Sequence, residues 1–287
     1  TLEANPDDLD PVNIAGLRKT AVNRLSIGVQ SFFDEDLQWM NRVHTGAEAL
    51  DSIRRVQDAG FENLTADLIY GFPLLSDEKW LQNIHTFAGL DIPHLSCYNL
   101  TVEEGTALST FIRAGRQPPP SGEQGARQFR LLMNAMEEAG FLHYEISNFC
   151  REDAWSRHNT AYWREKKYLG IGPSAHSFDG QTRSWNVSNN HRYTEGILQK
   201  EPDFGLERLS ANDCINERIM TGLRTMWGVD LEKIEKDFGA TRLAELKRTV
   251  SPYIRNGWVE IPEGNMKLTR EGKLYADRIA ADLFLLE

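Results

Sequence analysis

The stretch from Arg24 to Pro73 narrows the possible folds more than any other part of this chain. A run of strand length, RLSIGVQSF, is followed by a capped helix and a second such run, LTADLIYGFP. Leu25, Ile27 and Val29 recur through the first run, and Gly28 between them admits close approach of another backbone or a ligand. The helix is announced by Thr45 and Glu48 as an S/T-x-x-E capping box, by Leu50, Ile53 and Val56 at helical spacing, and by Gly60 at its left-handed end. This order predicts a parallel strand-helix-strand unit, which carries its chemistry at the carboxyl ends of its strands. Gln30 closes the first strand and Asp67 sits inside the second. A carboxylate inside LTADLIYG needs a partner if buried, and Arg42 on the connecting segment is a candidate. Singly, these residues read as a strand-end amide and a structural ion pair. Converging on one set of strand ends, they read as a polar pocket.

A chain of 287 residues can bury a sizeable core and is expected to form one larger and one smaller domain, 1–180 and 181–287. Its net charge of −10 and pI near 5.3 disfavour a phosphate-backbone footprint, so no nucleic-acid partner is expected. Cys97, Cys150 and Cys214 lie more than fifty residues apart, without metal-ligand spacing, and suggest reduced thiols in a cytoplasmic protein. No apolar run reaches the length of a membrane span.

From the opening TLEANPDDL, which reads as the tail of a strand entering a turn, strands and helices alternate through a helix after Asp10, a helix near Trp80 to Phe87, and the strand HLSCYNLT. The layout is parallel α/β. Ser121 and Gln124 open a helix whose stripe of Phe129, Leu132, Met133 and Met136 is core by default. Tyr144 to Cys150 is strand-like, and Arg157 to Trp163 is a polar, aromatic segment. From Gln181 to Pro202 the chain reads as loop. Beyond Ser210 it is helical, closing with a hairpin that turns at Glu263 and Gly264 and a last helix from about Thr269. Helices with a two-stranded wing raise a winged-helix, DNA-binding alternative. From Ser210 onward 12 Lys/Arg face 13 Asp/Glu, without the basic face of a DNA reader.

In this order EANP, RLSIGVQSF, Arg42 with His44, DLIYGFP, YNLTVEEGT, YEISNF, HNTAYW and GIGPSAH resemble the oxygen-independent coproporphyrinogen III oxidase-like family of radical S-adenosylmethionine (SAM) proteins, across essentially the whole chain. His158, Asn159, Tyr162 and Trp163 are similar to the HNxxYW element of its haem-chaperone branch. The resemblance implies a partial β/α barrel, N-terminally truncated, with a small, mainly helical, winged-helix-like C-terminal domain. It implies that Glu3, Gln30, Arg42, Asp67, Thr101 and Ile171 hold SAM. Carboxylates accept hydrogen bonds from hydroxyl and ammonium groups, and an arginine clamps a carboxylate. In the family a 4Fe–4S cluster reduces SAM to begin radical chemistry, which the oxidases use to turn propionates of a porphyrinogen into vinyl groups. The chaperone branch is expected to bind haem and pass it to an acceptor protein, whose identity the sequence does not supply.

The family's CxxxCxxC is absent from this sequence, so the cluster cysteines are expected upstream of Thr1, this polypeptide is expected to be inactive alone, and its sheet is expected to expose an edge. Pro173 and Ser174 stand where the family has small residues, and Cys150 stands where a residue such as alanine is expected. For haem, His158 is the first choice of iron ligand, with Tyr162 and Trp163 as a flat wall and His176 and Cys150 as competitors. Read without the resemblance, such a histidine more often caps or bridges a loop.

Overall fold

The strands of the first half alternate in polarity, and that alternation organises the fold. The computed structural model describes residues 1–285 and divides into two compact units, Thr1–Ser156 and Arg157 onward. In the first unit, strands β1 (Leu2–Ala4), β2 (Leu25–Gln30), β3 (Leu64–Tyr70), β4 (His94–Asn99), β5 (Leu142–Glu145) and β6 (Asn148–Cys150) form one sheet in the order β1-β2-β3-β4-β6-β5. The first four pair in parallel, as expected. The segment expected as a single strand, Tyr144 to Cys150, is instead the turn of an antiparallel hairpin, so the sheet is mixed. The Glu145 carboxylate makes that reversal by accepting hydrogen bonds from the Ser147 backbone N–H at 3.0 Å and the Asn148 amide at 2.5 Å.

Between the strands run α1 (Pro11–Leu17), α2 (Asp34–Trp39), α3 (Gly46–Asp58), α4 (Asp77–Ala88), α5 (Ala107–Arg113) and α6 (Gly122–Glu138). The capping box of α3 is present, with the Glu48 carboxylate accepting from the Thr45 N–H at 2.7 Å. Leu25, Ile27, Val29, Ala66, Leu68 and Leu95 are buried on one side of the sheet. Tyr70 shares the parity of Ala66 and Leu68, and its ring stacks on Trp80 of α4 at 5.3 Å and on Phe129 of α6 at 6.3 Å, which marks this as the helix-covered face. The Trp80 indole donates to the Gln128 carbonyl at 3.0 Å, and the buried Gln128 amide bonds Gly71 and Leu75, so the helical layer leaves that polar side chain satisfied. Burial of each large side chain here stabilises by about 1.5–3 kcal/mol.

The second unit begins earlier than the change of texture at Gln181. Its first element is α7 (Arg157–Trp163), a helix where the sequence suggested only a polar segment. The stretch after it is fastened by Arg218, whose Nε lies 3.0 Å and 3.1 Å from the two Glu165 oxygens. The region expected as loop, Gln181 to Pro202, contains β8 (Thr182–Asn186) and α8 (Asn190–Gln199), and β7 (His176–Phe178) and β9 (Phe204–Arg208) flank it, with the strands in one antiparallel sheet. Then come α9 (Ala211–Leu223), β10 (Val229–Asp230), α10 (Leu231–Phe238), α11 (Ala240–Arg255), β11 (Val259–Glu260), β12 (Asn265–Leu268) and α12 (Ala276–Asp282). The expected hairpin is β11–β12, turning through Glu263 and Gly264 with φ of 51° and 78°. Strand β10 adds to it to make a three-stranded wing. The last α-helix starts at Ala276 rather than Thr269, because a 3-10 turn at Gly272–Tyr275 intervenes.

Candidate functional site

The other parity of the parallel strands is polar. Across one row of the sheet the register aligns Glu3, Ser26, Thr65 and His94, and in the next it aligns Asp67 with Ser96 and Asn148. At the amino ends of the strands the Arg24 guanidinium donates to the Thr65 hydroxyl. That hydroxyl lies 3.0 Å from His94 Nδ1, and His94 Nε2 lies 2.7 Å from the Tyr144 hydroxyl, which accepts the Ser156 N–H at 3.3 Å. Burial, reinforced by the Arg24 charge, pushes the His94 imidazole down to about 3. It is therefore neutral, donating from one ring nitrogen and accepting at the other.

One layer higher, the Ser26 hydroxyl donates to the Asp67 carboxylate at 3.1 Å. Burial raises the Asp67 pKa to about 6, and Glu3 adds to the rise, while Ser96, Ser26 and Arg24 oppose it. Asp67 is a carboxyl group poised to change charge near neutral pH. The arginine that compensates it is Arg24. Arg42, read as its candidate partner, is exposed beyond α2 and makes no ion pair among the described residues.

Gln30 closes β2 with a φ of 66°, at a register shift that breaks the ladder with β3. A Cβ placed on Gly28 would stand 2.9 Å from the Gln30 side-chain nitrogen and 3.7 Å from Asn5 Oδ1, so the Gln30 amide lies over Gly28. The missing side chain at Gly28 lets that amide lie against the strand, where a Cβ would crowd it. Arg24 Nε and Asn148 Oδ1 are buried without hydrogen-bond partners. Such atoms are costly unless something else satisfies them. The structure thus gathers Glu3, Gln30 and Asp67 on one polar face, with Thr101 exposed just past β4. Sequence reasoning missed Arg24, Ser26, Thr65, His94, Ser96 and Tyr144. The period of two in R-x-S, T-x-D and H-x-S was the signal that could have found the first five.

In the second unit, His158 and Tyr162 stand one helical turn apart on α7 and are both exposed. The Tyr162 hydroxyl lies 3.1 Å from His158 Nε2, with the rings edge-on at 4.9 Å. Tyr162 in turn meets Tyr168 edge-on at 4.6 Å. Trp163 does not join them. It faces a separate cleft, with the Arg224 guanidinium 5.5 Å from its ring and its buried indole N–H without an acceptor. His176 is exposed on β7, 6.1 Å from Trp185. Cys150 is withdrawn as an iron donor, because it is fully buried in β6 and burial pushes its thiol up to about 12. Ile171 is 83% exposed in the loop before β7. Among the described residues no group of three or more His, Cys, Asp or Glu is placed to hold a metal ion, and no helix is long and apolar enough to cross a membrane.

Parallel strands with a polar face in one unit and helices with a three-stranded wing in the other make this an α/β protein. The Radical SAM superfamily model matches residues 1–87, and the HemN C-terminal domain model matches residues 209–275. Coproporphyrinogen III oxidase (HemN) from Escherichia coli, a solved radical SAM enzyme, shares the fold with a TM-score of 0.80 over 98% of this chain and 68% of its own, at 22% identity. A heme chaperone HemW of Bacillus subtilis is 33% identical over 97% of this chain and 74% of its own length. A heme chaperone HemW of Lactococcus lactis is 37% identical over 83% of this chain, which spans 62% of that relative. The chain belongs to the HemN/HemW-like radical SAM family.

Proposed function

We propose that this chain belongs to a haem chaperone, binding haem at α7 of its second unit and SAM on the polar face of its first, with haem then passed to an acceptor protein. The observation that carries the reading is the similarity to heme chaperones across nearly the whole chain, at 33% identity over 97% of it. The polar face suits SAM on its own chemistry. Glu3 and Asp67 are acceptors for hydroxyl and ammonium groups, and the Gln30 amide lies against Gly28 at the carboxyl end of β2. Arg42 and Thr101, exposed near the strand ends, are assigned to the polar ends of the ligand. Bound SAM, with a reduced iron-sulfur cluster, supplies radical chemistry to proteins of this class. The three cysteines do not fit such a cluster, since Cys97 and Cys150 are buried with raised thiol pKa values and, among the described residues, no metal-holding group forms around any of them.

For haem, the exposed imidazole of His158 is a suitable iron donor and the Tyr162 ring a flat neighbour. The test is a haem titration of this chain and of His158→Ala, followed at the Soret band. The variant is expected to lose about tenfold or more in affinity and to shift the band. An unchanged spectrum and affinity would remove His158 and move the assignment to His176. The fold shared with coproporphyrinogen III oxidase favours a second reading, oxidative decarboxylation of a porphyrinogen. Vinyl formation in an anaerobic assay of a polypeptide carrying the cluster motif would favour it over the chaperone.

A further inference from the structure

Trp163 was grouped with His158 and Tyr162 by its sequence motif, yet its side chain serves a different place. A cleft of about 370 Å³ lies wholly within the second unit, walled by Trp163 from the end of α7, Trp227 from the loop after α9, and residues of α9, β10 and β12. The volume is in the range of small-molecule sites, at roughly 300–1,000 Å³, and at its lower end.

The charge of the lining runs against that of the molecule. In a chain of net charge −10, the cleft carries Arg164, Lys166, Arg218 and Lys233 against the carboxylates Glu165 and Asp230. Those carboxylates are already engaged. Glu165 holds Arg218, and Asp230 caps α10, accepting the Lys233 N–H at 3.0 Å with the ammonium 3.6 Å from its other oxygen. Arg164 and Lys166 form no ion pair among the described residues. Arg164 is instead laid over Trp227, 4.2 Å from the ring centroid, which fixes a guanidinium at the wall of the cleft. The second indole, Trp163, brings a buried N–H that has no acceptor. Two indoles, two uncompensated cations and an unsatisfied donor are a recognition set for a flat, negatively charged molecule.

We propose that this cleft is a binding site for a small planar aromatic anion, a ring system bearing one phosphate or carboxylate and about the size of a mononucleotide. Arg164 and Lys166 take the anionic group, and Trp163 and Trp227 take the ring. The site lies apart from the His158–Tyr162 face of α7, and the inference does not rest on the haem reading.

The experiment is isothermal titration calorimetry of the full chain with AMP and indole-3-acetate, which carry the two anionic groups, and with adenosine and inorganic phosphate, which each carry half of the AMP pattern. At least one of the two aromatic anions is expected to bind saturably, and the stronger of the two identifies the group preferred. If AMP binds, adenosine and phosphate are each expected to be weaker by about tenfold. Reversing both exposed cations, Arg164→Glu with Lys166→Glu, is expected to weaken the aromatic anion by about tenfold or more while the far-ultraviolet circular dichroism stays unchanged. Trp227→Leu, a change in the ring contact alone, is expected to weaken it several-fold. The proposal is overturned if neither aromatic anion binds saturably, if adenosine matches AMP as the sole ligand, or if the charge-reversed protein binds as well as the original.

Discussion

The polar face of the first unit and the α7 surface of the second, the two proposed sites, hold their polar side chains differently. Around Asp67 the polar groups are buried and interlocked, from Arg24 through Thr65 and His94 to Tyr144, and two of their atoms lack partners. On α7, His158 and Tyr162 are exposed and bonded to each other. In the first region the proposed ligand contacts and the stability of the sheet draw on the same side chains, so altering one alters both. In the second, chemistry is laid on a surface whose loss the fold tolerates.

The largest effect expected from this contrast is at Arg24. Arg24→Leu removes the donor to Thr65 and the nearest compensating charge for Asp67, and is expected to lower the unfolding free energy by about 3 kcal/mol at pH 7, read by urea denaturation. His158→Ala in the same assay is expected to change it by no more than about 0.5 kcal/mol. Equal losses at the two positions would break the comparison.

Asp67 sharpens it through pH. Its folded pKa of about 6 stands above its ordinary value of 3.8, so between those values the folded state holds more protons than the unfolded one. The stability that this group contributes is therefore complete below about pH 4 and is lost as pH rises through 6. The interval corresponds to up to about 3 kcal/mol, and solvent access to the half-buried carboxylate reduces this to about 1–2 kcal/mol. Asp67→Asn keeps the shape and a hydrogen-bond acceptor for Ser26 without the charge. It is expected to be more stable than the parent by about 1–2 kcal/mol at pH 8 and no more stable at pH 4. A variant destabilised at pH 8 would mean that the ionised carboxylate is held by contacts stronger than those with Ser26 and Ser96.

How far the sequence foretold these two regions follows from the range of the interactions involved. The strand-helix-strand order, the capping box at Thr45 and the hairpin at Glu263–Gly264 are local and were legible. The position of Asp67 in β3 was legible too, but its partner was not. Arg42 was favoured for lying on the connecting segment, whereas Arg24 lies just before the neighbouring strand and reaches this face through strand pairing. The hairpin within Tyr144 to Cys150 was hidden because its reversal is made by the Glu145 side chain rather than by a glycine or proline. On α7 the motif read as one aromatic group, yet a helix turns about 100° per residue, so Trp163 leaves the face that His158 and Tyr162 share.

The smallest effect is at Tyr162, where the haem reading can be probed without touching the iron donor. In the structure His158 Nε2 is hydrogen-bonded to the Tyr162 hydroxyl at 3.1 Å, and a nitrogen so engaged must give up that bond before it binds iron. An exposed hydrogen bond of this kind contributes about 0.5–1 kcal/mol, because water replaces it at little cost. Tyr162→Phe keeps the ring and its edge contact with Tyr168 and removes only the hydroxyl. Stability is expected to fall by about 0.5–1 kcal/mol. Haem affinity, followed by Soret titration, is expected to rise about two- to fivefold, with the band of the bound form where the parent has it. A fall in affinity would mean that the hydroxyl contacts the bound ligand itself, and the α7 surface would then be an assembled site like that around Asp67 rather than an exposed donor awaiting its metal.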